Sequence, residues 1–324
     1  MNAIRIDRTG GPEVLQLADV ATPSPGPGEA LVRQAASGVN FIDTYLRTGL
    51  YKRDLPFIVG AEGAGVVEAV GDGVTELKAG DRVAYAQSPN LGGYAEYNAV
   101  PARLLVQVPD GVDDRTAAAV MLQGMTAHYL VNDTFPLRAG HVALVHAAAG
   151  GVGALLVQLA KAKGATVIAT AGTEEKAQLA RDAGADHVIV YAKTDFAEAT
   201  RAIVGEHAVD VAYDAVGKDT WERSLSLLCP RGMLVIYGAS SGPVPPIEPQ
   251  KLAAAGSVFF TRPTLVNYIS KREELEGRTR DLFSAMKSGK LNVRIGATYP
   301  LADAAQAHRD LESRKTVGKL LLIP

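Results

Sequence analysis

Hydrophobic and polar positions fall into two patterns along the chain. Up to about Asp113, apolar runs are short and broken by turn residues. Ala30–Ala36, Gly63–Val70 and Asp81–Ala86 read as strands, with turns at Gly71–Gly73 and Lys78–Gly80. Thr22–Gly28 (TPSPGPG) is a loop, because its prolines and glycines break either regular period. Short strands at this spacing predict a small barrel or sandwich. Beyond Asp113 the period changes. Thr116–Leu130 carries apolar residues at helical spacing, and a regular alternation follows. The strands are His141–Ala147, Ala165–Ala171, His187–Tyr191, Val209–Ala215 and Arg231–Gly238. The helices are Gly151–Lys163, Glu174–Ala183, Asp195–Val204 and Asp219–Leu228. Near-continuous apolar strands alternating with amphipathic helices predict βαβ units and a parallel sheet covered on both faces. After the breaker PVPPIEP come a short strand (Ser257–Thr261) and a long helix (Glu273–Ser288). A strand (Arg294–Thr298), a helix (Ala302–Glu312) and a final strand (Lys319–Ile323) complete the chain.

Length and composition narrow this picture. A chain of 324 residues suits two domains. The 33 Lys and Arg balance 35 Asp and Glu, so no field for a polyanion exists and a nucleic-acid partner is not expected. The single cysteine, Cys229, can form no internal disulfide and no thiolate-rich metal site. A buried structural thiol at a helix end is expected there. Charges at Arg5, Asp7 and Arg8 interrupt the first residues, and no apolar run has membrane length. A cytoplasmic protein with no membrane partner is expected.

The most informative segment is HVALVHAAAGGVGALLVQLAKAKG. A strand ends at Ala147, and the chain turns through Ala148, Ala149, Gly150, Gly151, Val152 and Gly153 into a helix. This fits G-x-G-x-x-G with alanine at its first position, in the strand–turn–helix context the motif requires. The glycines let backbone N–H groups approach a pyrophosphate at the positive end of the helix. The end of the second strand bears on which dinucleotide binds. An acid there would select NAD through the ribose hydroxyls. Here Ala171-Gly172-Thr173 carries none, and Lys176 follows in the first helical turn. That combination suits the 2′-phosphate of NADPH. Glu174 and Glu175 point the other way unless they serve the helix dipole, and Lys176 reads equally as a solvated helix lysine.

The stretch Gly140–Lys161 resembles the signature of the quinone oxidoreductase/zeta-crystallin branch of the medium-chain dehydrogenase/reductases. The matching residues are Gly140, Leu144, the Ala148–Gly151 turn, Gly153, Gln158 and Lys161. GGPEVL, GVNFIDTYLRTGLY, GAGVVEAVGDGV, KAGDRVAY, DAVGKDTWERSL, TRP and LESRKTVGKLLLIP are also similar to bacterial NADPH:quinone reductases, so the resemblance spans essentially the whole chain. It implies an α/β fold: a GroES-like β-barrel catalytic domain (residues 1–123 and 264–324) with a doubly wound Rossmann domain (124–263) inserted. It implies nicotinamide in a cleft between the domains. It also implies a homodimer pairing through the last Rossmann edge strand, here SVFFT.

The resemblance also implies a metal-free site. Zinc-dependent relatives use a cysteine where this chain has Asn40, and their Gly-His-Glu reads Gly60-Ala61-Glu62. Their four-cysteine lobe has no counterpart. Without a Lewis acid the acceptor must take hydride readily by itself, as quinones and enones do. Asn40, Tyr45 and Tyr51 are the catalytic candidates. Asn40 would orient the cofactor, and either tyrosine would contact the acceptor, donate a proton or merely wall the cleft. Ile42 and Asp43 join Asn40 at the nicotinamide end, with Gln123, Thr126 and Tyr129; Asp43 reads alternatively as a helix cap. Gly150, Gly151 and Val152 meet the pyrophosphate. Gly172, Thr173, Lys176 and Tyr191 meet the adenosine ribose and its phosphate. Val216, Tyr237, Gly238, Ala239 and Ser240 lie at carboxyl ends of later strands, where such sheets bind ligands. Thr261 and Arg262 follow the last strand, where Arg262 would meet the nicotinamide carboxamide or pair at the dimer edge, and Arg314 is a further candidate that reads alternatively as a surface charge. The expected activity is NADPH-dependent reduction of a quinone. The alternatives are reduction of an enone or enoyl thioester, and a crystallin-like or RNA-binding role.

Overall fold

The computed structural model describes residues 1–324, which form two compact units. One comprises Met1–Met125 with Tyr268–Pro324, and the other Thr126–Asn267.

The first unit is built on a sheet that is antiparallel except for Ile295–Pro300, which pairs parallel to the C-terminal strand Lys319–Ile323. Its central strand, Glu29–Val39, is long enough to serve several partners. Glu62–Val70 pairs along one edge. Tyr97–Pro101 pairs with Glu29–Arg33, while Leu320–Leu322 of the C-terminal strand pairs with Ser37–Val39. Arg82–Ala86, Val106–Gln107 and Ile295–Pro300 extend the sheet. A smaller sheet orders Gln16–Asp19, Asn2–Ile6 and Phe57–Ile58. Alternation along the strands fills two apolar clusters. Val32, Val67, Val83 and Leu105 belong to one. Ile4, Ile6, Val59, Leu320 and Leu322 belong to the other. Strands Asn2–Ile6 and Tyr97–Pro101 are too short and mixed to be legible from their pattern alone.

The C-terminal strand carries one residue that breaks its apolar run. Lys319 is buried, and its Nζ pairs with the buried Glu62 carboxylate and with Asn40 Oδ1 at 2.7 Å. The carboxylate also accepts from Asn40 Nδ2 at 2.8 Å and from the Leu122 N–H at 2.6 Å. Gly38 makes room for the pair, since a Cβ there would meet Lys319 Nζ at 2.7 Å.

The second unit is a six-stranded parallel sheet. Its order is His187–Val190, Thr166–Ala171, Val142–Val145, Val209–Asp214, Leu228–Ile236 and Phe259–Thr261. The two halves wind outward from the neighbouring strands Val142–Val145 and Val209–Asp214, which is a topological switch point. Leu144, Ile168, Ala212 and Leu234 line its core with Trp221 and Leu225. Cys229 lies within strand Leu228–Ile236, not at a helix end, and is half-buried. Burial and the Asp210 carboxylate, 3.6 Å away, hold its thiol above the usual range.

Lys319→Met removes the cation and leaves the Glu62 carboxylate uncompensated. Breaking a buried pair from one side costs about 3–5 kcal/mol. Urea denaturation is expected to show a loss of that size, partly recovered when Glu62→Gln is added. A loss well below 1 kcal/mol would refute the role given to the pair.

Candidate active site

In the second unit the site grows from the carboxyl end of Val142–Val145. Ala147 takes a left-handed conformation (φ 53°), and the Gly150 N–H donates back to its carbonyl at 2.9 Å. Gly150 caps the helix Gly151–Ala162. A side chain on Gly153 would run into the Ala147 carbonyl, so only glycine lets the helix begin this close to the strand. The first N–H groups of the helix lack partners within it, which is the arrangement by which helix N-termini bind anions.

Buried polar groups hold this turn from behind. His146 Nδ1 lies 3.0 Å from Thr170 Oγ1 and Nε2 lies 2.8 Å from Ser224 Oγ. Burial depresses its pKa, which favours the neutral ring. Asp214 accepts from the N–H groups of Val216 (2.7 Å) and Gly217 (3.0 Å) and from Thr220 Oγ1 (2.6 Å), fixing the loop after its strand. Tyr237 follows the next strand. Its hydroxyl is buried without a hydrogen-bond partner, and burial with nearby Asp214 raises its pKa. An orphaned buried donor at the carboxyl end of this parallel sheet is what a ligand-binding edge presents. Gly238, Ala239 and Ser240 continue from it, all half-buried.

The second strand ends at Ala171. A Cβ on Gly172 would meet the Tyr191 hydroxyl at 2.7 Å, so glycine lets that hydroxyl lie across the strand end. Thr173 caps the following helix through its Oγ1, which accepts from the Lys176 N–H at 3.3 Å. Glu174 is engaged by Arg181 at 2.8 Å and Lys193 at 3.4 Å, which turns it to its own helix and neighbours. Lys176 is half-buried, and desolvation lowers its pKa. Thr261 lies on the edge strand and Arg262 is exposed just beyond it. Thr126 and Tyr129 are buried at the start of this unit, whereas Gln123 belongs to the first.

The first unit gathers the remaining candidates on one short helix, Phe41–Thr48. Asn40 is its N-cap, and its side chain is committed to Glu62 and Lys319 rather than to solvent. Asp43, at the third helical position, accepts from the Asn40 N–H at 2.9 Å and from the Tyr94 hydroxyl at 3.0 Å. Tyr94 lies 3.1 Å from His308 Nε2, and His308 Nδ1 lies 3.1 Å from Arg47 Nη1. Arg47 closes this chain with two bonds to Glu312, at 3.0 and 2.7 Å. Asp43, Tyr94, His308 and Arg47 are buried. Ile42 packs against the neighbouring core. Tyr45 and Tyr51 meet edge-to-face with ring centres 5.4 Å apart, and Tyr51 is exposed. Arg314 is exposed on the first unit at φ 58°.

Sequence reasoning missed Tyr94, His308, Arg47 and Lys319. A lysine heading the apolar KLLLI strand and a histidine amid apolar helix positions were the available signals.

Comparison with known proteins places this architecture. Residues 26–110 match the alcohol dehydrogenase GroES-like domain, and residues 151–283 match the zinc-binding dehydrogenase domain. A quinone oxidoreductase of Pseudomonas aeruginosa is 47% identical over 97% of both chains. The chain belongs to the quinone oxidoreductase family of the medium-chain dehydrogenase/reductases. A 2-haloacrylate reductase of Burkholderia sp. is 45% identical over 98% of both chains. The crystal structure of Escherichia coli quinone oxidoreductase complexed with NADPH superposes with a TM-score of 0.98 at 46% identity. It covers all of both chains. The residues here do not fit the zinc that one of these domain names implies. Asn40 and Ala61 offer no thiolate or imidazole, Lys319 already neutralises Glu62, and no three His, Cys, Asp or Glu side chains form a metal-sized cluster.

The buried chain couples two titrations of opposite sign. Burial pushes Asp43 from 3.8 up to about 7, with Glu62 adding, against the Asn40 N–H, Tyr94 and Lys319. Burial and Arg47 push His308 from 6.5 down to about 3. Folding therefore favours the protonated Asp43, so its contribution is lost as pH rises from about 4 to about 7. Folding also favours neutral His308, so that contribution is lost as pH falls from about 6.5 towards 3. The two slopes oppose each other, each at most about 1.4 kcal/mol per pH unit. Relative to wild type, His308→Gln is expected to make stability fall more steeply as pH rises from 4.5 to 6.5. Asp43→Asn is expected to do the reverse. Urea midpoints across that range check both, and slopes unchanged in both variants would refute the assignment.

Proposed function

We propose that the chain is an NADPH-dependent reductase that transfers hydride to quinones. One observation carries this reading. A glycine turn at the switch point of a doubly wound sheet is followed by a second-strand end bearing Gly172, the Tyr191 hydroxyl and Lys176 in place of a carboxylate. The NADPH-complexed Escherichia coli enzyme and the Pseudomonas aeruginosa relative support it.

NADPH supplies the hydride, and the protein supplies position and hydrogen bonds. The backbone N–H groups of Gly151 and Val152 would take the pyrophosphate at the helix N-terminus, with Gly150, whose own N–H is held by the Ala147 carbonyl, leaving room for its approach. Gly172, Thr173, Lys176 and Tyr191 hold the adenosine ribose and 2′-phosphate. Val216, Tyr237, Gly238, Ala239, Ser240, Thr261 and Arg262 line the carboxyl edge of the sheet for the rest of the cofactor, with Thr126 and Tyr129. The orphaned Tyr237 hydroxyl gains a partner there. In the first unit, Asn40, Ile42, Asp43 and Gln123 serve the nicotinamide end, with Arg314 a peripheral cation. Tyr45 and Tyr51 offer an aromatic face to a flat acceptor, and a hydroxyl donor to the oxyanion that forms as hydride arrives. The acceptor must be intrinsically electrophilic, because no residue set here builds a Lewis acid. A second reading, reduction of an activated alkene, is favoured by the Burkholderia 2-haloacrylate reductase. A cytoplasmic setting accords with the lone cysteine.

NADPH oxidation by 1,4-benzoquinone, 9,10-phenanthrenequinone and a linear enone is expected to show quinone turnover. Activity with the enone alone would transfer the assignment to the second reading. Lys176→Ala is expected to raise the NADPH KM roughly tenfold or more while leaving NADH nearly unchanged, since a charge-assisted contact contributes ~1.5–3 kcal/mol. Equal effects on both cofactors would overturn the phosphate role.

A homodimer is the assembly this reading implies. Strand Phe259–Thr261 ends its sheet, and Phe259 is 57% exposed on it. An unpaired apolar edge of this kind demands cover. Phe259→Asp is expected to shift the protein from dimer to monomer in sedimentation velocity, whereas an unchanged dimer would place the interface elsewhere.

A further inference from the structure

The buried chain from Arg47 to Asp43 runs in one direction. Arginine has donors only, so the contact from Arg47 makes His308 Nδ1 an acceptor. The neutral ring therefore carries its hydrogen on Nε2, and donates it to Tyr94 Oη at 3.1 Å. Tyr94 in turn donates to Asp43 Oδ2 at 3.0 Å, and the Asn40 N–H donates to the same oxygen at 2.9 Å. The Asp43 carboxyl is the sink of the whole chain. Its other oxygen, Oδ1, is buried and has no partner. At the far end Glu312 fixes Arg47. Oδ2 is taken up by two donors, so Oδ1 is the oxygen of Asp43 left to carry a proton.

The groups facing Asp43 come from every element around it. Tyr94 lies in the segment before strand Tyr97–Pro101, and His308 on helix Ala304–Glu312. Lys319 on the C-terminal strand favours the carboxylate, and Glu62 on strand Glu62–Val70 opposes it. Arg47 is on Asp43's own helix. A carboxylate at this position binds the N-cap N–H by a charge-assisted bond, roughly twice as strong as a neutral one, and also meets the positive end of the helix. The neutral acid forfeits both effects.

We propose that Asp43 is a titrating positioning residue of the reductase, whose carboxylate fixes the start of helix Phe41–Thr48 and so the placement of Asn40 and Tyr45. Protonation at Oδ1 loosens that helix end. The effect lies in the range where enzymes work, because burial raises the Asp43 pKa to about 7. The inference rests on the reading of the chain as an NADPH-dependent reductase, but its first readout needs no turnover.

The experiment is a pH titration of protein labelled with 13C in aspartate carboxyls and 15N in the backbone. One carboxyl resonance, absent from Asp43→Asn, is expected to titrate near pH 7, and the Asn40 and Tyr45 amide shifts are expected to follow it. Tyr94→Phe removes a donor to the carboxylate and is expected to raise the midpoint by about half a unit or more. In steady state, kcat/KM for NADPH is expected to fall below the same midpoint. That limb moves upward in Tyr94→Phe and disappears in Asp43→Asn. If Asp43→Asn does not fold, the Tyr94→Phe pair of midpoints carries the test. A carboxyl titrating below pH 5, amides that do not follow it, or a kinetic limb that stays fixed while the resonance moves would overturn the proposal. If the carboxyl and amide titrations appear together but no acceptor oxidises NADPH, the positioning role stands and the reductase reading falls.

Discussion

The buried pair of Glu62 and Lys319 is the constraint on which the first unit is organised. Burying two charges is costly unless each finds its full set of partners. Glu62 has three, from Lys319, Asn40 and the Leu122 N–H, and Lys319 has both Glu62 and Asn40. Satisfying them brings together residues 279 positions apart in the chain. The C-terminal strand must lie beside Ser37–Val39, the helix after Val39 must start at Asn40, and Gly38 must lack a side chain. The pair thus fixes strand register and the entry of the candidate helix together.

This arrangement also accounts for what Asn40 can do. Its amide spans one donor and two acceptors within the protein: Lys319 gives to its oxygen, and its nitrogen gives to Glu62 and to the Gly38 carbonyl at 3.2 Å. The side chain is committed within the protein, so what it fixes is the start of the helix that it caps. The Asp43 chain performs the complementary task from the other side of the same cap. Two buried networks, one ionic and one directed and neutral in its middle, converge on a single turn of helix.

The second unit solves a different problem. Its glycine turn leaves the first N–H groups of a helix without intrahelical partners and with no positive side chain in the turn itself. Sheet order supplies the crevice, and the close start of helix Gly151–Ala162 supplies the dipole. Buried His146, bonded at both ring nitrogens, and Asp214, bonded at both oxygens, stiffen the loops on either side.

The sequence alone determined the alternation of strands and helices after Asp113, the glycine turn, the missing acid after Ala171 and the loss of zinc ligands. Each of these is local: period, spacing or residue type within a few positions. Glu174 was ambiguous in the sequence, and only its pairing with Arg181 and Lys193 assigned it to its own helix. Tertiary structure alone decided the partners of Asn40, the chain from Glu312 to Asp43, and the orphaned hydroxyl of Tyr237. Those features join strands and helices far apart in the chain. Their energies come from burial and from exclusive pairing of donors with acceptors, which no local pattern encodes.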